Sequence, residues 1–346
     1  MSAATPRIAL VGTGMAGAAC ARDLANAGLD VTLFEKSRGV GGRLATRRAE
    51  WAVGDSLPQP ARFDHGAPGF GVHSADFQQF VDRAQRDGLL APWTPRLAPR
   101  SHQPLEPSTL WVPKRDMPSL CRALLAGLSV RTECTVDGLH RSGHGWALDS
   151  GGTRLGDGFA AVIVATPPIQ AAALVQPVRP DWAAQAQAIE MRPCWTLMAV
   201  TRGTVSDAEW DLSWSPHPML ATVLRDDRKP GREFRPGVAH WVVHADAEWS
   251  RTHLESPPAQ VLARMQAALA DWMGHVPRWH HAAVHRWRYA SAPRTAAGLH
   301  PCWWDADSGL GVAGDALGGG GVEGAWRSGT ELARRVVAGF ADRAAA

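Results

Sequence analysis

The chain opens on a strand, a glycine turn, a helix and a second strand, and this cassette constrains its fold more than any other feature. The apolar run Arg7–Gly12, RIALVG, leads into Gly12-Thr13-Gly14-Met15-Ala16-Gly17. A helix is expected to Ala27, a stop at Gly28 and a second strand over Val31–Glu35. Gly12 permits the tight turn, Gly14 lets the backbone approach a pyrophosphate, and Gly17 lets the helix pack closely on the strand. The helix N-terminus offers unpaired N–H groups and a positive dipole end to the same anion. Glu35 follows Gly14 at the spacing of about twenty residues that suits a carboxylate accepting ribose hydroxyls. A glycine triplet alone is a weak signal. Strand, helix, Gly28 and Glu35 in register make it a dinucleotide site rather than an ordinary turn.

The residues that follow bear on which dinucleotide. Glu35-Lys36-Ser37-Arg38-Gly39-Val40-Gly41-Gly42-Arg43 runs straight on from the acidic strand end. It resembles the second fingerprint of FAD oxidoreductases of the glutathione-reductase/amine-oxidase superfamily, in which a GGR follows the acidic residue. Physically, Gly41-Gly42 supplies a backbone nest for phosphate oxygens and Arg43 a bidentate cation over the pyrophosphate. A nicotinamide dehydrogenase has no need of this second clamp.

Length and composition set the bounds. With 346 residues the chain can bury a large core and form two domains. A net charge of +3 is too small to argue for nucleic acid or a membrane surface. The five cysteines, Cys20, Cys121, Cys134, Cys194 and Cys302, show no CxxC or Cys/His ligand spacing, so buried reduced thiols and no metal are expected. No apolar run approaches the ~20 residues of a membrane helix, and the N-terminus has no signal-peptide pattern. A soluble, cytoplasmic protein is the expectation. The sixteen tryptophans against one tyrosine, Tyr289, are candidates for core filling or an aromatic pocket.

Along the chain, helices are expected over Ala75–Asp87, Met117–Leu128 behind Asp116, Pro257–Met273 and Val322–Phe340. Ala91–Pro107 reads as irregular surface chain. Thr109–Val112 reads as a strand, Ser129–Asp149 as a strand meander, and Phe159–Ala165, FAAVIVA, as a strand buried on both faces. Further strands are expected over Cys194–Thr201, Met219–Leu224, Ala239–Ala245, Ala283–Tyr289 and Leu310–Ala313. The fold class is therefore α/β: a discontinuous Rossmann-like FAD-binding domain and a second, mixed α+β substrate domain on an antiparallel sheet covered on one side. The expected division is 1–62, 108–168 and 297–346 for the first domain, and 63–107 and 169–296 for the second.

The closing motif, Gly314-Asp315-Ala316-Leu317-Gly318-Gly319-Gly320-Gly321-Val322-Glu323-Gly324-Ala325, resembles the C-terminal GD box of FAD enzymes. Asp315 can accept hydroxyl hydrogens, and N–H groups near Glu323–Ala325 can stabilise charge on a reduced flavin. Together LFEKSRGVGGRLATRR, FDHGA at Phe63–Ala67, WVVHADAEWSRTHLE at Trp241–Glu255, HRWRYA at His285–Ala290 and GLGVAGD...VEGAWRSG look like the bacterial renalase-like flavoproteins. The first and last of these are shared across the amine-oxidase superfamily, whereas the His244 and HRWRYA motifs point to renalases.

That resemblance implies an FAD-dependent oxidase acting on dihydronicotinamide dinucleotides reduced at the wrong ring carbon. It would return NAD(P)+, with O2 as acceptor and hydrogen peroxide as product. Hydride transfer from a dihydropyridine needs no general base, only positioning and exclusion of water. The residues expected to hold non-covalent FAD are Gly12, Gly14, Met15, Ala16, Gly17, Glu35, Lys36, Gly42, Arg43, Gly66, Val136, Gly314, Asp315, Glu323 and Gly324. His244, Trp287 and His65 are the candidates for the substrate pocket. Arg225, Lys229 and Arg232 lie in a polar loop that either meets substrate phosphates or is simply solvated.

Two departures from the renalase pattern stand out. Pro68-Gly69 follows FDHGA where the family commonly has a Gln-Tyr pair, and Lys114 stands where the family more often has a small residue. The competing readings are a flavin-containing amine oxidase and a non-catalytic FAD-binding redox module. Against the former stands Lys229, the lysine of the substrate region, whose polar loop argues against burial.

Overall fold

The computed structural model describes residues 5–52, 57–99, 101, 109–202, 209–292 and 300–345. In chain order the elements begin with β1 (Arg7–Val11), α1 (Met15–Asn26) and β2 (Asp30–Phe34), then the hairpin β3 (Arg47–Trp51) and β4 (Gln59–Phe63). There follow α2 (Ala75–Arg86), the ribbon β5 (Leu90–Trp93) with β6 (Leu110–Pro113), and the short α3 (Ser119–Leu124). The middle holds β7 (Ser129–Arg131), β8 (Gly138–Ser142), β9 (Gly145–Ser150), β10 (Thr153–Phe159), β11 (Ala161–Val164), α4 (Pro168–Val175) and α5 (Pro180–Gln187). Next come β12 (Arg192–Arg202), β13 (Leu212–Trp214), β14 (Leu220–Arg225), a 3-10 turn (Asp226–Arg228) and β15 (Val238–Ala245). After α6 (Ala247–Thr252), α7 (Pro258–Met273) and β16 (Arg278–Ser291), the chain closes on β17 (Cys302–Asp305), β18 (Leu310–Ala313), α8 (Asp315–Gly318) and α9 (Gly321–Ala345).

The chain divides into two compact units. The first comprises Met1–Gly42, Leu120–Met191 and Ser291–Ala346, the second Arg43–Ser119 and Arg192–Ala290. These bounds differ from those read off the sequence, where 43–62 and 108–119 went to the first domain and 169–191 to the second. The reason is packing. Helices α4 and α5 bury Ala171, Val175, Trp182 and Ala186 in the core of the first unit, while the β3–β4 hairpin buries Trp51, Ala61 and Phe63 against Met198, Val200 and Val242 of the second. The expected limits at 107/108 and 296/297 fall outside the described residues, as does part of Ala91–Pro107. The described part is not all irregular surface chain, since Ala91–Trp93 belongs to β5, pairs with β6 and buries Trp93.

The first unit is built on a six-stranded sheet in the order β17-β18-β11-β1-β2-β7. Its pairs are parallel except for the antiparallel edge strand β17. All four residues of β11 are buried, as a central strand covered on both faces requires. Two expectations change here. The segment of β7, read as the start of a meander, instead extends the parallel sheet beside β2. The apolar run from Phe159 is not one strand: Phe159 ends β10, and β11 begins at Ala161. The meander itself is β8-β9-β10.

The second unit is built on a five-stranded sheet in the order β13-β14-β15-β12-β16. The pairs β13–β14, β14–β15 and β15–β12 are antiparallel. One face carries Leu197, Trp241, Val243 and Ala245, packed with Val261, Met265 and Leu269 of α7. The other carries Met198, Val200, Leu224 and Val242, packed with Phe63, Trp93, Leu110 and Val112. The sheet is thus covered on both faces rather than on one. Burying side chains of this size contributes roughly 1.5–3 kcal/mol each.

Local signals explain the helix ends. Ser74 caps α2 by accepting the Phe77 N–H, and Asp246 caps α6 by accepting those of Glu248 and Trp249. Gly274, at φ +79°, stops α7. Helix α3 is shorter than expected, six residues from Ser119. Tryptophans serve mainly as packing: Trp146, Trp195 and Trp241 are fully buried. Cys20, Cys121 and Cys302 are buried free thiols, whereas Cys134 and Cys194 are only partly buried. No helix among the described residues is long and apolar enough to cross a membrane.

Candidate active site

In the first unit the glycine turn is held from both sides. The Gly12 N–H donates to the Phe34 carbonyl at 2.9 Å. A β-carbon at Gly17 would lie 2.1 Å from the Gly12 carbonyl oxygen, so helix and turn pack as closely as the motif implies. The second glycine loop lies directly on the first. Gly14 and Gly41 form a parallel β-bridge, and Gly41 donates to the Thr13 carbonyl at 3.0 Å. A β-carbon on Gly42, at φ +54°, would crowd Gly14 Cα at 3.2 Å. Two backbones stripped of side chains therefore form one cradle at the start of α1. The α1 N-cap, Gly14, has no side chain to satisfy the first-turn N–H groups, and the first turn carries no acidic residue. Such a cradle suits a pyrophosphate.

Glu35 is buried at the end of β2, and its carboxylate is already oriented. Oε2 accepts the Thr13 N–H at 3.0 Å and the Thr13 hydroxyl at 2.7 Å, while Oε1 accepts the Ser37 N–H at 2.9 Å. Thr13 was not singled out in the sequence. Its signal is a hydroxyl inside the glycine turn, a place where the acid can be clamped. Met15, Ala16 and Gly17 are buried in α1, and Lys36 is exposed. Val136 is buried beside Phe34 in the first unit's core.

The GD motif also begins a helical turn rather than a loop. Asp315, nearly buried, opens α8, and the Gly314 N–H donates to Ser328 Oγ at 2.9 Å. Gly318 and Gly324 pack backbone to backbone. Glu323 sits, partly buried, in the first turn of α9. Arg43 belongs to the second unit, where its Nη1 donates to the Ala290 carbonyl at 3.3 Å.

In the second unit the three sequence candidates for the pocket come together, with a fourth. Strand alternation places His240, Val242 and His244 on one face of β15, opposite to Trp241 and Val243. The same period places His281, Ala283, His285 and Trp287 on one face of β16. His65 stacks on Trp287, with ring centroids 5.0 Å apart and planes at 29°. His285 meets both edge-on, at 4.8 Å from His65 and 4.4 Å from Trp287. The Trp287 indole N–H donates to the His65 carbonyl at 3.0 Å. His285 was quoted in HRWRYA without a role, although its i, i+2 relation to Trp287 on a strand predicts a shared face.

The protonation of His244 follows from its partners. Nε2 lies 2.9 Å from the Gly66 carbonyl oxygen, which can only accept, so Nε2 carries the proton. Nδ1 then accepts from the Thr222 hydroxyl at 2.8 Å. Both ring nitrogens are thereby engaged within the protein, so His244 presents a ring surface rather than a polar atom. Burial pushes its pKa down to about 4. Burial, with the neighbouring His285, likewise pushes His65 down to about 4. His65 Nδ1 is buried and makes no hydrogen bond among the described residues. His285 and His281 are also lowered, first by burial and then by the positive field of Arg47. All four shifts run toward the neutral imidazole.

The polar loop departs from expectation. Arg225 and Lys229 are buried, not solvated, and each is already paired with carboxylates. Arg225 makes a bidentate pair with buried Asp227, at 3.1 and 2.9 Å, and lies over the Trp241 ring. Lys229 Nζ sits 2.8 Å from Asp226 Oδ1 and 3.2 Å from Asp64 Oδ2. Arg232 Nη2 reaches the same Asp64 oxygen at 2.6 Å, and its Nη1 donates to the carbonyls of Pro113 and Lys114 at 2.9 Å each. Burial and the charge of Asp64 raise the pKa of Asp226. Burial would raise Asp64 too, but Lys229 and Arg232 overcome it and hold that carboxyl low. The alternating charges of RDDRK resemble a solvated loop in sequence. In the fold their opposite signs neutralise one another out of water. The Pro68-Gly69 departure leads into a bridge in which Phe70 and Trp111 exchange both backbone hydrogen bonds, at 3.1 and 2.8 Å.

Residues 94–337 match the model of the flavin containing amine oxidoreductase family, and residues 10–84 that of an NAD(P)-binding Rossmann-like domain. The chain belongs to the flavin-containing amine oxidoreductase family. As a member it is an FAD-dependent oxidoreductase, and the glycine cradle, the clamped Glu35 and the GD turn fit that cofactor. Solved structures of like fold include a proposed protoporphyrinogen oxidase from Exiguobacterium sp. 255-15, with a TM-score of 0.69 at 12% identity over 97% of this chain and 99% of that one. Cyclohexylamine oxidase from Brevibacterium oxydans IH-35A gives 0.68 at 13% identity, over 97% and 100%. A triple mutant of putrescine oxidase gives 0.64 at 14%, over 96% and 99%. At these identities the likeness is one of fold.

Proposed function

We propose that this family member oxidises a neutral dihydronicotinamide ring, that of NAD(P) reduced at ring position 2 or 6. The overall reaction is dihydro-NAD(P) + O2 + H+ giving NAD(P)+ and H2O2. The observation that carries the reading is the charge of the ring cluster. His65, His244 and His285 are held neutral, and Arg47 adds a positive field at His65 and His285. That environment disfavours an ammonium ion and suits an uncharged ring on a dinucleotide that carries phosphates.

FAD, bound without a covalent link, supplies the hydride acceptor. The chain's own residues then have three tasks. The glycine cradle and Glu35 hold the cofactor's pyrophosphate and ribose. Trp287 and His65, stacked on each other, offer flat surfaces that orient a donor ring. His244, with both nitrogens engaged, stands as a fixed neutral wall that takes no proton. A dihydropyridine needs no base, and misplacing its donor carbon by about 1 Å costs ~10²-fold in rate.

The amine-oxidase reading has its own support. The family match is to amine oxidoreductases, and Lys229 is buried, contrary to the sequence expectation. Its ammonium, however, is held by Asp64 and Asp226. Anaerobic stopped-flow reduction with 2-, 4- and 6-dihydro NAD(P) beside benzylamine and spermine separates the two. Fast bleaching by the 2- or 6-isomer is expected. Fast bleaching by an amine, with none by the isomers, replaces this reading with the other. A flavin that no donor reduces points to a non-catalytic module.

A further inference from the structure

Besides the Arg225–Asp227 pair, the described residues hold a buried charge group that neither the cradle nor the ring cluster uses: Asp64, Asp226, Lys229 and Arg232. Asp64 lies between Phe63, the buried last residue of β4, and His65. Every polar atom that leaves Asp64 toward this group is tied. Its backbone N–H donates to Asp226 Oδ2 at 2.9 Å, and its Oδ2 meets Lys229 Nζ at 3.2 Å and Arg232 Nη2 at 2.6 Å. Its Oδ1 accepts the Thr46 hydroxyl at 2.5 Å. Lys229 closes the loop on Asp226 at 2.8 Å.

Two to three residues further on, the same turn is clamped again. The Ala67 N–H donates to the Arg43 carbonyl at 3.1 Å, and a β-carbon at Gly66 would lie 2.0 Å from that oxygen. Between the two clamps the turn directs two carbonyl oxygens at ring donors. That of His65 takes the Trp287 indole N–H, and that of Gly66 takes the His244 Nε2–H.

We propose that Lys229 is a positioning residue: by joining Asp64 to Asp226 it holds the His65–Gly66 turn where its carbonyls can orient Trp287 and His244. Two positive and two negative charges cancel in this group. Replacing a buried ion pair by apolar residues of similar volume is often neutral for stability, so this group is read through the geometry it imposes. The inference takes from the proposed function only that the ring cluster meets the donor, and it holds for a dihydronicotinamide or an amine alike.

The test compares holoenzymes of wild type, Lys229→Met, Lys229→Arg and the charge-balanced double variant Lys229→Met with Asp226→Asn. The double variant leaves no buried carboxylate without a cation, so it folds where the single one fails. Two readouts are taken at equal FAD content. The first is hydrogen exchange of the Trp287 indole N–H in 15N-tryptophan-labelled protein, assigned with Trp287→Phe. The second is the limiting rate of flavin reduction, and its half-saturating concentration, for whichever donor of the panel above reduces wild type.

In the double variant, indole exchange should quicken about tenfold or more as local opening becomes easier. The limiting rate should fall ~10–10²-fold with half-saturation nearly unchanged. Lys229→Arg, which keeps a cation between the two carboxylates, should leave both near wild type. Wild-type exchange and wild-type limiting rate in a folded double variant would overturn the proposal. If no donor reduces the wild-type flavin, the proposed function fails, and the exchange measurement alone still decides the role of Lys229.

Discussion

His244 donates its Nε2–H to the carbonyl oxygen of Gly66 across 2.9 Å, and so a strand histidine and a turn glycine far apart in the chain fix each other's orientation. With Thr222 on the other nitrogen, the imidazole is confined to one neutral tautomer. A neighbouring bond, from the Trp287 N–H to the His65 carbonyl, fixes the orientation of the indole. These bonds tie five residues, His244, Gly66, Thr222, His65 and Trp287, to one turn, and the lowered pKa values of the two histidines give the first prediction.

Stability should fall as pH drops from about 6.5 to about 4. His65 and His244 have folded pKa values near 4, below the ordinary value of 6.5. The unfolded chain therefore binds more protons in that window, and the stability present above pH 6.5 is lost as pH falls through it. For the buried His65 the loss is of the order of 3 kcal/mol. Urea unfolding at pH 7, 6, 5 and 4.5 measures it. His65→Gln should flatten this limb, and an unchanged slope would remove His65 from the account.

Asp227→Ala should destabilise the second unit by about 3–5 kcal/mol, because it removes the bidentate carboxylate from the fully buried Arg225 guanidinium. Replacing Arg225 and Asp227 together with apolar residues should cost much less. Thermal and urea melts of the two variants provide the comparison. Equal losses would mean that the pair contributes through its packing and not its charge.

Glu35→Ala should weaken FAD binding without unfolding the first unit, since each charge-assisted bond to a ribose hydroxyl contributes ~1.5–3 kcal/mol. Thr13→Val should weaken it in the same direction by a smaller factor, because Thr13 holds the carboxylate in place through two bonds. Titration of apoprotein with FAD, followed by flavin fluorescence, reads both. Unaltered affinity in Glu35→Ala would show that the ribose is held elsewhere.

Trp287→Ala should slow flavin reduction ~10²-fold with little loss of bound FAD. Trp287→Phe keeps a flat ring but lacks the N–H that binds the His65 carbonyl, so an intermediate rate is expected. Stopped-flow traces at saturating donor make the measurement. If Phe performs like Ala, the indole N–H matters more than the ring face.

Local physics made much of this protein legible in its residues. The glycine cassette, the buried β11, the Leu310–Ala313 strand and the face of α2 follow from turn chemistry and from periods of two and 3.6 residues, which act between near neighbours. The cofactor class could be read because backbone N–H groups suit a pyrophosphate, and backbone exposure is written in glycines. His65, His244 and Trp287 could be named as candidates, but nothing in their neighbours fixes a tautomer or a stacking partner.

The tertiary structure decided what depends on residues distant in sequence. It put β7 beside β2, moved the β3–β4 hairpin to the second unit and covered both faces of the antiparallel sheet. Above all it decided the state of Lys229. A lysine between charged neighbours reads as solvated, because its sequence environment is polar. In the fold Asp64, 165 residues away, supplies a carboxylate that makes burial tolerable. Whether a charge is in water or in a buried pair is set by which distant groups the fold brings within a few ångströms, and that information is not local to any stretch of the chain.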